Sequence, residues 1–157
     1  MSHVLIANMP NLKNFSPHSL DNQVCFSLYS ASNAMVRAYR PLLNKLDLTY
    51  SQYLTMLVLW QYQGISVKIL GDKLHLDSGT LTPLLKRLEV KGLISRGRSE
   101  KDERVRVLHI TQSGKALEVL AVKIPEQLQC KLGMEPEVFI ELKRLCDQAY
   151  KIIISAR

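Results

Sequence analysis

Long apolar runs are missing from this chain of 157 residues. The longest, residues 53–60, falls far short of the ~18 consecutive apolar residues that a membrane span requires, so no membrane partner is expected. A secretory signal is missing too: the run Val4-Leu5-Ile6-Ala7 is too short for an apolar signal core and no Lys or Arg precedes it, which predicts a cytoplasmic location. Cysteine is scarce. Three thiols, an odd number, cannot all pair within one chain, and cytosolic thiols stay reduced, so a disulfide scaffold is not expected. The four histidines, His3, His18, His75 and His109, are scattered without cysteine or carboxylate partners at ligand spacing; neither a metal nor a cofactor is expected.

What is present is an average globular composition, 46% hydrophobic and 22% charged, with one unusual quantity: a net charge of +7. The excess is local. Residues 86–106 hold the basic groups Lys86, Arg87, Lys91, Arg96, Arg98, Lys101, Arg104 and Arg106 against half as many acidic ones, which favours a polyanionic partner. Aromatics concentrate elsewhere, from Phe26 to Tyr62, and include Tyr29, Tyr39, Tyr50, Tyr53 and Trp60, with Cys25 immediately before them.

Periodicity organises the chain into one domain. Residues 1–20 show no clear pattern and are expected to form a mobile arm. In residues 22–40, Val24, Leu28, Ala31, Met35 and Ala38 recur at helical spacing, predicting an amphipathic helix capped at Asn22 and ending near Pro41. Thr49-Tyr50-Ser51-Gln52 has the form of a capping box and starts a second helix, stopped at Gly64. Ser66 can cap a short helix carrying Val67, Leu70 and Leu74, and Asp77 or Ser78 offers the next cap. The helix that follows turns Leu81, Leu84, Leu85 and Leu88 inward and leaves Ser78, Thr80, Thr82, Lys86 and Arg87 outward, with Pro83 predicting an irregular start. Two short helices joined by three or four residues, the second with a short-polar and basic outer face, are what a helix-turn-helix needs.

Beyond it, Leu93-Ile94 begins an extended segment, residues 98–103 form a charged tip, and residues 104–107 alternate basic with apolar, which together predict a wing of two strands. Thr111 or Ser113 starts a long helix through Leu117, Leu120, Ile124 and Leu128, kinked at Pro125. A last helix from Pro136 carries the stripe Val138, Leu142, Leu145, Ala149, Ile152 and Ile153, beside which Cys146 reads as a packing residue. This stripe and the first helix exceed what a small winged helix can cover, so a homodimer built from residues 22–46 and 111–155 is expected around a DNA-binding lobe at 49–110. The predicted fold class is mainly α, an α+β winged helix-turn-helix of about six helices.

The run Leu76-Asp77-Ser78-Gly79-Thr80-Leu81-Thr82-Pro83-Leu84-Leu85-Lys86-Arg87-Leu88, then Gly92-Leu93-Ile94, Asp102-Glu103-Arg104 and Thr111, closely resembles the MarR family of winged-helix repressors, in its organic hydroperoxide resistance branch. The resemblance covers residues 22–150. It implies a repressor, not an enzyme, whose reactive thiol near the start of the first helix is Cys25, with the partner subunit's Tyr39 and Tyr50 donating hydrogen bonds to its thiolate. It also implies Cys130 as a thiol that resolves the oxidised cysteine across subunits, and Arg104 as a minor-groove arginine steadied by Asp102. Tyr29, one helical turn after Cys25, is a further candidate for the sensor pocket.

The chemistry is consistent with this. Helix N-terminal amides and phenol donors both favour a thiolate, which a hydroperoxide oxidises to a sulfenic acid. A two-fold dimer implies double-stranded DNA with a pseudo-palindromic operator, half-sites ~34 Å apart. Two rivals remain open on sequence: a repressor released by a non-covalent phenolic ligand, and a thiol peroxidase that uses Cys25 as its catalyst.

Overall fold

The structure is a computed structural model, and it describes residues 19–98 and 104–156. Residues 1–18 of the expected arm and residues 99–103 of the expected charged tip, Asp102 among them, lie outside the described residues. Contacts divide the chain into a unit of residues 1–37 and a unit of residues 38–157.

In the first unit, Leu20–Asn22 makes a single 3-10 turn and helix α1, Val24–Leu43, begins immediately after it. Asn22 is therefore not the cap. The amides of Phe26 and Ser27 turn instead to the carbonyl of Gln23, at 3.0 and 3.2 Å. α1 also passes through Pro41 rather than stopping before it. Its last residue, Leu43, is fully buried, and that burial extends the helix past a proline whose missing N–H leaves only the Arg37 carbonyl without its helical donor.

The second unit continues with α2, Tyr50–Gln61, started by the expected capping box. Thr49 Oγ1 accepts from the Gln52 amide at 3.4 Å, and Gln52 Oε1 accepts from the Thr49 amide at 3.0 Å. α2 ends at Gln61 with Tyr62 as its cap residue; Gly64, at a φ of 65°, serves the turn that follows. Ser66 caps α3, Val67–Leu74, and Asp77 caps α4, Ser78–Val90. His75 between them takes a left-handed φ of 55°. α4 is regular from its first residue, because Pro83 turns its ring to the exposed face and the carbonyl that it leaves unpaired belongs to the exposed Gly79.

The wing is β2, Ile94–Arg98, paired antiparallel with β3, Arg106–Ile110. A third strand, β1, Ile65–Ser66, pairs with the other edge of β3, so β3 is central and buries both Val107 and Leu108 instead of alternating strictly. Two residues are too short a strand for periodicity to reveal. Arg104 precedes β3 and lies in the turn rather than on a strand, because the register closes at Arg98 opposite Arg106; Asp102, expected beside it, lies outside the described residues.

The helix expected over 111–131 is two helices, α5, Gln112–Ala121, and α6, Ile124–Leu132. Pro125 stands in the first turn of α6, where a proline is tolerated, so it separates the helices rather than kinking one. The break changes the face that is buried: Ile124 and Leu128 are in the interior, whereas Leu120 is exposed. α7, Pro136–Ser155, has no buried residue. Cys146 is exposed on it, beside the exposed Leu145. The core gathers Leu43, Tyr53, Met56, Leu59, Leu70 and the four inward leucines of α4 around Ile94 and Leu108.

Candidate sensor cluster and DNA-reading face

The candidate DNA-reading face is built from α4 outward. Its inward side is fixed by the complete burial of Leu85 and Leu88, which leaves Ser78, Thr80, Thr82, Lys86 and Arg87 all exposed, as expected. Asp77 holds the start of the helix: Oδ1 accepts from the Thr80 amide at 2.8 Å and Oδ2 from the Thr80 hydroxyl at 3.1 Å. Those bonds keep the Asp77 carboxyl below the usual carboxylate range. Thr82 Oγ1 donates to the Ser78 carbonyl at 2.7 Å. Both threonine hydroxyls thus spend their proton on the helix and present lone pairs outward.

The basic segment is not uniformly available. Lys91 pairs with Asp47, Nζ to Oδ2 at 2.9 Å, and Arg96 with Glu89 at 3.1 Å. Lys86 and Arg87 make no ion pair among the described residues and stand on the exposed side of α4.

The second assembly is aromatic. Tyr39 on α1 and Tyr50 at the start of α2 face each other with ring centroids 4.9 Å apart. Tyr53 joins them at 5.9 Å from Tyr39, and Trp60 meets Tyr53 edge-on at 6.4 Å. Burial, and then the neighbouring Tyr50 and Tyr53, push the Tyr39 phenol up to about 12; burial also raises Tyr50 and Tyr53. The cluster is therefore a set of neutral phenols, able to donate hydrogen bonds at every pH at which the protein is expected to work. Sequence reading found Tyr39 and Tyr50 but missed Tyr53 and Trp60 as members. The signal was their spacing from Tyr50 on α2, which puts all three on one side of that helix.

Trp60 Nε1 donates to the carbonyl of Gly114 at 2.9 Å, tying α2 to the first turn of α5. A cavity of about 250 Å3 opens beside it, lined by Tyr53, Leu57, Trp60, Ala121, Val122 and Pro125 among others. Cys25 occupies the first turn of α1 in the unit of residues 1–37 and is exposed, as is Tyr29 one turn on. Cys130, in the last turn of α6, is exposed as well. The next residue, Lys131, donates to the Ala38 carbonyl at 3.2 Å, anchoring that turn to α1. Among the described residues, no group of three metal-ligating side chains occurs and no helix is long and apolar enough to cross a membrane.

A helix-turn-helix with an exposed polar and basic second helix, followed by a wing, defines a winged-helix DNA-binding transcriptional regulator. Comparison with known proteins narrows that class. The family model described as transcriptional regulator SarA/Rot matches residues 37–118. The organic hydroperoxide resistance transcriptional regulator of Bacillus subtilis strain 168 is 45% identical over 139 residues, spanning 88% of this chain and 92% of that relative. Among solved structures, reduced AbfR bound to DNA is 32% identical, with a TM-score of 0.71, covering 86% of this chain and 94% of that one. Disulfide-formed AbfR is 35% identical with a TM-score of 0.60, covering 83% and 92%. The chain belongs to the MarR/SarA family of winged-helix transcriptional regulators, which are not enzymes, and within it resembles the organic hydroperoxide resistance branch.

Proposed function

We propose that this regulator is a cytoplasmic homodimeric repressor that holds its operator while Cys25 is reduced and releases it when an organic hydroperoxide oxidises Cys25. The Cys25 thiolate attacks one peroxide oxygen, the O–O bond breaks, and the organic alcohol leaves with a proton, giving Cys25 sulfenic acid. Condensation with Cys130 of the partner subunit then forms an S–S bond and expels water. The partner subunit's Tyr39 and Tyr50 donate hydrogen bonds to the thiolate, and Tyr29 lines the pocket. On DNA, Ser78, Thr80, Thr82, Lys86 and Arg87 enter the major groove of a pseudo-palindromic operator, and the wing, with Asp102 and Arg104, reaches the minor groove.

The observation that carries this reading is the Tyr39–Tyr50 pair, two neutral phenols at ring contact. Its support comes from the hydroperoxide resistance relative and from the AbfR structures, one reduced on DNA and one disulfide-formed. The exposed stripe of α7 supports the homodimer, because an apolar face of that length seeks cover. A gel-shift titration with and without cumene hydroperoxide tests it. Reduced protein is expected to bind, oxidised protein to release, and a Cys25→Ser variant to stay bound; release by that variant sinks the sensor assignment. The cavity beside Tyr53 and Trp60 favours one second reading, release by a non-covalent phenolic ligand, which would displace DNA from a variant lacking all three cysteines.

A further inference from the structure

The phenol cluster and the wing are joined by an unbroken series of contacts, and Trp60 is the narrow point in it. On one side its ring meets Tyr53, which meets Tyr39, which meets Tyr50. On the other, its indole N–H is bonded to the Gly114 carbonyl. Gly114 is no ordinary helix residue. A Cβ built on it would collide with the carbonyl of Leu93 and stand 2.7 Å from Ile110 Cγ1, so the first turn of α5 rests directly on both strands' ends at the base of the wing. The same junction is closed by the Gly114 amide donating to Thr111 Oγ1 at 3.1 Å. The Thr111 hydroxyl in turn donates to the Gly92 carbonyl at 2.6 Å, and the Thr111 amide to the Leu93 carbonyl at 3.1 Å. With backbone in contact with backbone, this junction moves as one piece or not at all.

Trp60 itself has room. The cavity of about 250 Å3 beside it reaches Val122 at the break between α5 and α6, so the indole can tilt without first displacing core side chains. A movable ring between a responsive cluster and a rigid junction has the form of a coupling element with two discrete arrangements.

We propose that Trp60 is a positioning residue that transmits the state of the Tyr39–Tyr50–Tyr53 cluster to the base of the wing through its hydrogen bond to Gly114. The inference rests on the hydroperoxide reading above. When oxidation of Cys25 withdraws the thiolate that the phenols serve, the tyrosines rearrange, Tyr53 carries Trp60 toward the cavity, and the bond to Gly114 draws the start of α5, with Leu93 and β2, away from the DNA-bound arrangement. Trp60 takes part neither in the oxidation nor in touching DNA.

The chain has one tryptophan, so its fluorescence belongs to Trp60 alone. In the unsubstituted protein treated with cumene hydroperoxide, the emission of Trp60 is expected to shift with the same time course as operator release. In Trp60→Phe, which keeps a ring but loses the N–H, dimedone labelling of Cys25 sulfenic acid is expected at the wild-type rate. Operator affinity of its reduced form should stay within about threefold of wild type, as for a change that touches no DNA contact. The loss of affinity on oxidation should fall from at least about tenfold to less than about threefold, the range in which allosteric couplings lie and vanish. Wild-type-like release by Trp60→Phe overturns the coupling role and leaves the hydroperoxide reading standing. Steady Trp60 emission during release overturns it as well, and that measurement decides alone if the variant does not fold. A wild-type protein that keeps its operator after Cys25 is oxidised overturns both readings.

Discussion

Leu81, Leu84, Leu85 and Leu88 of α4 are buried within the chain, whereas none of the twenty residues of α7 is, although α7 carries the longer apolar stripe. α4 owes its helix to tertiary packing plus a cap at Asp77. α7 keeps its helix by local pairs: Arg144 forks onto Glu141 with two bonds of 2.7 Å and reaches Gln148 at 3.1 Å, and Lys143 holds Asp147. The same amphipathic pattern thus has two fates. In α4 the apolar face is buried and the polar face is left to solvent; in α7 the apolar stripe stays exposed, with Tyr150 meeting His75 at 4.4 Å between ring centroids.

The comparison can be broken at several points. The largest effect is expected on the side already packed: Leu85→Ala, at a fully buried position, should lower the stability of the fold by about 3 kcal/mol in denaturant titration. Gly114→Ala should cost about 2 to 3 kcal/mol, because the new methyl has backbone rather than a flexible side chain to displace. In α7, Ile153→Asp should change monomer stability by less than about 0.5 kcal/mol, since the residue is exposed, yet shift sedimentation from dimer toward monomer. An unaltered dimer would remove α7 from the interface. Arg87→Ala on the free face of α4 should weaken operator binding by about 1 to 3 kcal/mol if it reads a base, and equally at all sequences with a shallower salt slope if it meets phosphate.

The smallest effect concerns protons. Tyr39 is raised to about 12 in the folded chain from 10.0, so both folded and unfolded forms are neutral below pH 10 and the group exerts no pH dependence there. Above that the unfolded chain loses its proton first, so stability falls as pH rises toward 12. Absorbance titration at 295 nm should show a tyrosine that ionises late, and Tyr39→Phe should remove it. A titration without that late step would mean that the cluster is more open to water than its ring contacts indicate.

Much of the winged helix is legible in the sequence. The capping box at Thr49, the caps at Ser66, Asp77 and Thr111, and the inward leucines of α4 all follow from side chains that act within one turn of where they stand. The differences centre on proline. Pro41 does not stop α1, because the buried Leu43 holds the turn after it; Pro83 leaves α4 regular, because its ring and the carbonyl it unpairs are both exposed; and Pro125 belongs to the first turn of α6, not to the middle of a longer helix. Strand β1 was invisible because its partner lies forty-odd residues away, at Val107 and Leu108. The tyrosine cluster was half legible: Tyr50, Tyr53 and Trp60 share a side of α2 by spacing, but only the fold brings Tyr39 to them.

Sequence alone determined the class of partner, because a local excess of basic groups on an amphipathic helix is a property of composition and period. It determined equally the starts of α2 to α5, which are set by hydrogen bonds over three residues. Tertiary structure decided which charges remain available, since Lys91 and Arg96 find Asp47 and Glu89 only through folding. It also decided that a tryptophan on α2 holds the carbonyl of Gly114, a bond across 54 positions that no local pattern encodes because it exists only where two packed helices converge.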